Sequence, residues 1–130
     1  MIRLKEIITP RNMAKSIEDE FNKKYPSTDK KGIVVELWPV PYRDDFVELS
    51  ALYIPKEHRG KGIGSEIMNR IVQYADENNK IIGATPSTDF GASSVNRIRD
   101  FNKRFGFVRN KGRDVDFTIS NTMYRKPKTA

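Results

Sequence analysis

Leu52-Tyr53-Ile54-Pro55-Lys56-Glu57-His58-Arg59-Gly60-Lys61-Gly62-Ile63-Gly64-Ser65 is the stretch on which the reading of this chain turns. Upstream of it, residues 46–54 alternate as a strand. Val47, Leu49, Ala51 and Tyr53 fall on one face, and Phe46, Glu48, Ser50, Leu52 and Ile54 on the other. Downstream, Ile63, Ile67, Met68, Ile71, Val72 and Ala75 recur at helical spacing until Asp76-Glu77-Asn78-Asn79 closes the run. A strand therefore enters a glycine loop that becomes the first turn of a helix. The N–H groups of such a turn lack helical partners and sit at the positive end of the helix dipole. That arrangement binds phosphate. Arg59, Gly60, Lys61, Gly62, Ile63, Gly64 and Ser65 are the candidate phosphate-binding residues, with Arg59 and Lys61 adding formal charge. The spacing is neither G-x-G-x-x-G nor a P-loop, since glycines stand at 60, 62 and 64 and no Gly-Lys-Ser/Thr follows. The alternative is a glycine-rich turn that merely starts a helix.

The remaining chain supplies the partners of this unit. Ile2, Leu4, Ile7 and Ile8 suggest a first strand over 2–8. Thr9 then reads as an N-cap and Pro10 as the first helical residue, with Met13, Ile17, Phe21 and Tyr25 at helical spacing over 11–24. Residues 33–38 form a strand, and Pro39, Pro41 and Arg43-Asp44-Asp45 a turn. Lys80–Thr85 is a short buried strand, a third helix covers 93–104, and strands near 106–109 and 115–125 make a hairpin. This order predicts one domain over 1–130, of α/β (mixed α+β) class, with a central mixed sheet and helices on both faces.

The chain has 130 residues, 37% hydrophobic and 32% charged, with a formal net charge of +7. No apolar run is long enough to span a membrane, and charges occupy the N-terminus where a signal peptide needs apolar residues. Zero cysteines exclude disulfides, thiolate zinc sites and cysteine nucleophiles. A cytoplasmic protein without membrane attachment is expected. The positive charge favours acidic partners, nucleic acid among them. It concentrates in Arg97, Arg99, Lys103, Arg104, Arg109, Lys111 and Arg113, a stretch that reads equally as a solvated face.

Arg59-x-x-Gly62-x-Gly64 after an apolar strand resembles the R/Q-x-x-G-x-G/A signature of the GNAT superfamily, the acyl-CoA-dependent N-acyltransferases. Phe101-Asn102-Lys103-Arg104-Phe105-Gly106-Phe107 is similar to the second landmark of that superfamily, an aromatic-Tyr-x-x-x-Gly-Phe run. Gly106 follows Gly64 by 42 positions, with a helix, a strand and a helix between them, and the resemblance covers about 46–125. It implies that strands 46–54 and 80–85 run parallel and then splay. Acetyl-CoA would lie in the gap, its pantetheine along Leu52, Tyr53 and Ile54 and its pyrophosphate on Gly60–Ser65. It further implies an oxyanion donor near Leu52, direct attack of a primary amine without an acyl-enzyme, and no metal.

Two positions depart from the family pattern. The family's usual tyrosine on the last helix, which protonates the departing thiolate, is replaced by Asn102, and its usual asparagine two turns earlier falls on Val95 with Asn96 beside it. Asn102 also lies within the apolar stripe of Val95, Ile98, Phe101 and Phe105, where an amide needs a partner, either a backbone carbonyl or a ligand. Glu48, mid-strand, is the candidate general base; a rim carboxylate paired with a lysine is the alternative. His58 is expected to pack over the loop, and Tyr53 and Tyr124 are possible substitutes for the missing acid. The acceptor is an amine on a small molecule, a peptide or a protein, or one linked to nucleic acid. Its specificity elements are expected in residues 10–45. A CoA-binding module without turnover is the competing reading, and oligomeric state is unspecified.

Overall fold

The computed structural model describes residues 9–87 and 94–128. The strand expected over 2–8 lies outside them. Helix α1 runs Pro10–Lys24, and Thr9 caps it by accepting a hydrogen bond from the Asn12 N–H at 3.1 Å. Ala14, Ile17 and Phe21 form its buried stripe. Two polar side chains lace α1 to strand β1 (Val34–Val40). Glu18 accepts from the Val35 N–H at 3.0 Å, and Asn22 bonds both the N–H and the C=O of Ile33.

Strand β1 includes Pro39, which the sequence assigns to the turn, and β2 already begins at Arg43 and runs to Tyr53. The turn therefore contracts to Pro41-Tyr42, and Pro39 is tolerated because β1 is an edge strand. Helix α2 spans Ile63–Glu77, β3 Ile81–Ala84, α3 Val95–Lys103, β4 Val108–Arg109 and β5 Met123–Arg125. The sheet order is β1-β2-β3-β5-β4, mixed, with β2 and β3 parallel and the other pairs antiparallel.

All three helices send side chains to the larger core cluster, which also holds Val35, Leu37, Val47, Ile82 and Met123 of the sheet. An Arg70–Glu20 ion pair joins α2 to α1. The mixed sheet packed with helices expected from the sequence is met, and the larger cluster lies on one side of it. On the other, among the described residues, the 110–122 segment covers a smaller cluster of Phe46, Ile119 and Tyr124.

That segment is not the extended strand expected over 115–122. Only Met123–Arg125 pairs with β4. Asn110 explains the difference. Its amide donates to the carbonyls of Asp116, Ile119 and Asn121, and its oxygen accepts from the Asp116 N–H. Asp116 in turn caps Thr118. Local bonds of this kind offer the backbone an alternative to a sheet ladder.

Candidate functional site

Strands β2 and β3 pair over Phe46–Leu49 and Ile81–Ala84 and then diverge. Strand β2 continues to Tyr53 bonded to β1 alone, so one edge of residues 50–53 opens onto a cleft of about 430 Å³. Leu52, Ile54, Met68, Ala84, Ile98 and Phe101 give it an apolar wall, and Arg59, Gly64, Arg97 and Asn102 also border it.

The alternation read from the sequence breaks inside β2. Glu36 pairs with Ala51 but Leu37 with Leu49, which leaves Ser50 as an extra residue, a β-bulge. Past the bulge, Leu52 and Ile54 pack against the same cluster as Val47 and Leu49, whereas Phe46 belongs to the smaller one. Glu48, expected on the face of Leu52, is therefore on the opposite face. It accepts hydrogen bonds from Asn121 Nδ2 at 3.0 Å and from the Ser50 hydroxyl at 3.3 Å. The lysine partner considered for Glu48 is not found among the described residues. Trp38 stands opposite Glu48 across the β1–β2 pair, 39% exposed and covered by the Arg11 guanidinium at 4.1 Å.

At its far end the cleft meets the glycine loop. Gly60 and Gly62 have φ of +81° and +79°, values that L side chains rarely adopt, and a Cβ at either would meet nothing within 4 Å. Gly62 is the N-cap of α2 and supplies no side-chain cap; the first helical bond is Glu66 N–H to Gly62 C=O. The N–H groups of Ile63, Gly64 and Ser65 are thus left without the usual capping oxygen. This is the donor set an anion requires. Arg59 donates through Nε to the Ile54 carbonyl at 2.9 Å, which fixes the turn from strand to loop.

Lys61 leans back. Its Nζ lies 3.1 Å from His58 Nδ1, while His58 Nε2 donates to the Pro26 carbonyl at 2.8 Å, so the ring is buried structurally, edge-on to Tyr25. Glu57 ties the same region to Ser27 and Thr28, whose hydrogen bonds hold its carboxyl below the usual range.

Asn102 is buried at 4% exposure and donates through Nδ2 to Met123 Sδ at 3.8 Å, a weak partner that leaves its carbonyl oxygen uncommitted among the described residues. Asn96 is exposed and receives a bond from Arg99; one position on, Arg97 borders the cleft instead. Tyr53 borders the cleft, but its hydroxyl donates to Asp29, which raises its pKa. Tyr124 packs in the smaller cluster with its hydroxyl on the Asp114 carbonyl, and burial raises its pKa. Both hydroxyls are engaged by oxygen acceptors.

A family model described as "Acetyltransferase (GNAT) domain" matches residues 28–109, across the diverging strands, the glycine loop and α3. The chain belongs to the GNAT acetyltransferase family. Two solved structures share its fold. Ard1 from Thermoplasma volcanium is 22% identical, with 84% of this chain and 76% of that one covered, at a TM-score of 0.50. Tetrahymena GCN5 is 14% identical, with 94% and 92% covered, also at 0.50. No match was found among curated proteins. Membership of the GNAT family makes acetyl transfer the general activity.

Sequence reasoning missed Arg97, Ile98 and Thr85 at the cleft and Asn121 beside Glu48. The first three follow from the turn of α3 and the end of β3. Asn121 carries no pattern of its own.

Proposed function

We propose that this protein moves an acetyl group from acetyl-CoA to a primary amine by direct attack. The observation that carries this reading is the divergence of β2 and β3 into a cleft that ends on an uncapped helix N-terminus. The residues fit the cofactor: an apolar channel along Leu52–Ile54 suits pantetheine, and the open donors of Ile63, Gly64 and Ser65, with Gly60 and Gly62 leaving room, suit a pyrophosphate. Arg59 and Lys61 add positive potential at the same end.

Acetyl-CoA supplies the activated acetyl group when bound. The sheet supplies the geometry. The thioester end belongs in the gap beyond Leu49 and Ala84, near Asn102 on one side of the sheet and near Glu48 on the other. Glu48, held by Asn121 and Ser50 with its carboxylate oxygens turned to this seam, accepts the proton that an ammonium acceptor must lose, directly or through water. An N–C bond then forms as the C–S bond breaks. An N–H near Leu52 supports the carbonyl oxygen as it gains charge. The Asn102 amide is a hydrogen-bond donor for sulfur and not an acid, so water returns the proton to the thiolate.

Incubation with acetyl-CoA and separate pools of amines, peptides and tRNA, with thiol release and acetyl incorporation both followed, tests the reading. Thiol release that depends on an amine supports it. Acetyl-CoA binding without transfer to any pool would leave a binding module and overturn it.

A further inference from the structure

The 110–122 segment, with Arg109 of β4 and Arg99 of α3, lines a second groove of about 410 Å³. It adjoins the seam directly. Asn121 lines it and bonds both Glu48 Oε2 and Thr85 Oγ1, and Thr122, also lining it, bonds Thr85 through its N–H. Thr85 borders the cofactor cleft, so the cleft and the groove are one hydrogen bond apart.

The groove has two sides of different chemistry. Arg99, Arg109 and Lys111 supply three positive charges, and among the described residues none of them pairs with a carboxylate. Asp116 is the acid present, and its carboxylate is spent on the N–H and hydroxyl of Thr118, which hold it in the charged form. Val115, Ile119 and Phe117, the last 92% exposed, form the apolar side. The shape does not depend on a ligand to form it. Asn110 ties three carbonyls of the segment together, Arg43 bonds Thr118 from β2, and Tyr124 bonds the Asp114 carbonyl.

We infer that this groove is the acceptor site and that it selects an amine borne on a carboxylate-bearing molecule of short-peptide size, an acidic peptide with an apolar residue. The inference rests on the acetyl-transfer reading above. Its volume falls in the range of small-ligand sites, and unpaired cations at a preformed cavity favour an anion by charge complementarity. The carboxylates engage Arg99, Arg109 and Lys111, the apolar residue lies on Phe117, and the amine reaches Glu48 past Asn121. This places specificity in 109–122 rather than in residues 10–45.

The test compares transfer from acetyl-CoA to three peptides of equal length, acidic, neutral and basic, and to a single-stranded RNA carrying a terminal amine, for the wild type and for Arg109→Gln with Lys111→Glu. We expect kcat/KM for the acidic peptide to exceed that for the neutral one about tenfold or more. In the variant this preference should vanish through KM, while acetyl-CoA affinity and melting temperature stay unchanged. Equal rates on all peptides would overturn the inference and leave acetyl transfer standing. Preference for the RNA, with a steep salt dependence, would overturn it in favour of nucleic acid. Acetyl-CoA binding with no transfer to any amine would overturn both readings at once.

Discussion

Replacing Gly62 tests whether the backbone or the charges of the loop hold the pyrophosphate. At φ +79° a β-branched residue is strained by about 1–3 kcal/mol. A Cβ at this position meets nothing within 4 Å, so no steric cost adds to that in the free protein. Gly62→Val should therefore stay folded and melt several degrees lower. Binding should suffer far more. The branched side chain projects from the N-cap of α2, next to the Ile63, Gly64 and Ser65 N–H groups, where hydrogen bonds to a charged group contribute about 1.5–3 kcal/mol each. Loss of even one corresponds to about 10–150-fold in affinity.

Lys61→Ala removes a cation already drawn 3.1 Å from His58 Nδ1, on an exposed side chain. Exposed charge pairs contribute about 0.2–1 kcal/mol, which is at most a several-fold change. Titration calorimetry with acetyl-CoA on both variants, with Gly62→Ala as the control for strain without bulk, separates the two effects. We expect the order of damage Gly62→Val, then Gly62→Ala, then Lys61→Ala. If Lys61→Ala weakens binding most, the loop acts as a charge cluster and the backbone-cradle argument is refuted.

Gly83→Ala should destabilise the fold by about 1–3 kcal/mol, because its Cβ would come within 2.3 Å of Phe46 Cζ and 2.5 Å of Asn121 Oδ1; chemical denaturation reads this out. Asp76 pairs with the buried Arg125, whose hydrogen bonds depress its pKa; that contribution is present above the ordinary carboxylate pKa near 4 and is lost as pH falls through the lower folded value. Asp76→Asn should accordingly be less stable than wild type at pH 7, with the difference closing in strong acid, as followed by melting against pH. Asn102→Ala should keep its fold and acetyl-CoA affinity and lose turnover, whereas unchanged kcat would make the Asn102–Met123 contact structural only.

What the sequence disclosed is what local chemistry determines. Thr9-Pro10 starts a helix wherever it occurs with a periodic run behind it, and α1 begins there. A glycine loop between an alternating run and a helical one marks a helix start, and α2 begins at Ile63 directly behind Gly60 and Gly62. The bulge at Ser50 was not legible, since residues 46–54 alternate without a break and the register shift arises from pairing with β1. The shape of 110–122 was hidden for a related reason. Its β-compatible residues are overruled by Asn110, which reaches carbonyls as far off as Asn121. Arg125 likewise gives no sign in sequence that it is buried against Asp76 and the Phe105 carbonyl, bracing β5 to the end of α2.

The bulge is what makes a two-sided site possible. In an unbroken strand Glu48, Ser50 and Leu52 would share a face, and a proton acceptor would crowd the channel meant for the cofactor. One extra residue reverses the side-chain phase of everything after it. Leu52 and Ile54 then line the cleft while Glu48 stays on the far side with Asn121. Pairing between β2 and β3 ends immediately after Glu48, at Leu49 and Ala84, so the two faces communicate only where the sheet has opened. The proposed cofactor and acceptor would then approach from opposite sides and meet at one point. Inserting one residue between Glu36 and Leu37 of β1 would give Ser50 a partner, restore the alternation and put Leu52 and Ile54 on the face of Glu48. Such an insertion variant should lose acetyl-CoA binding even with the glycine loop intact. Retained affinity would mean that the loop alone holds the cofactor.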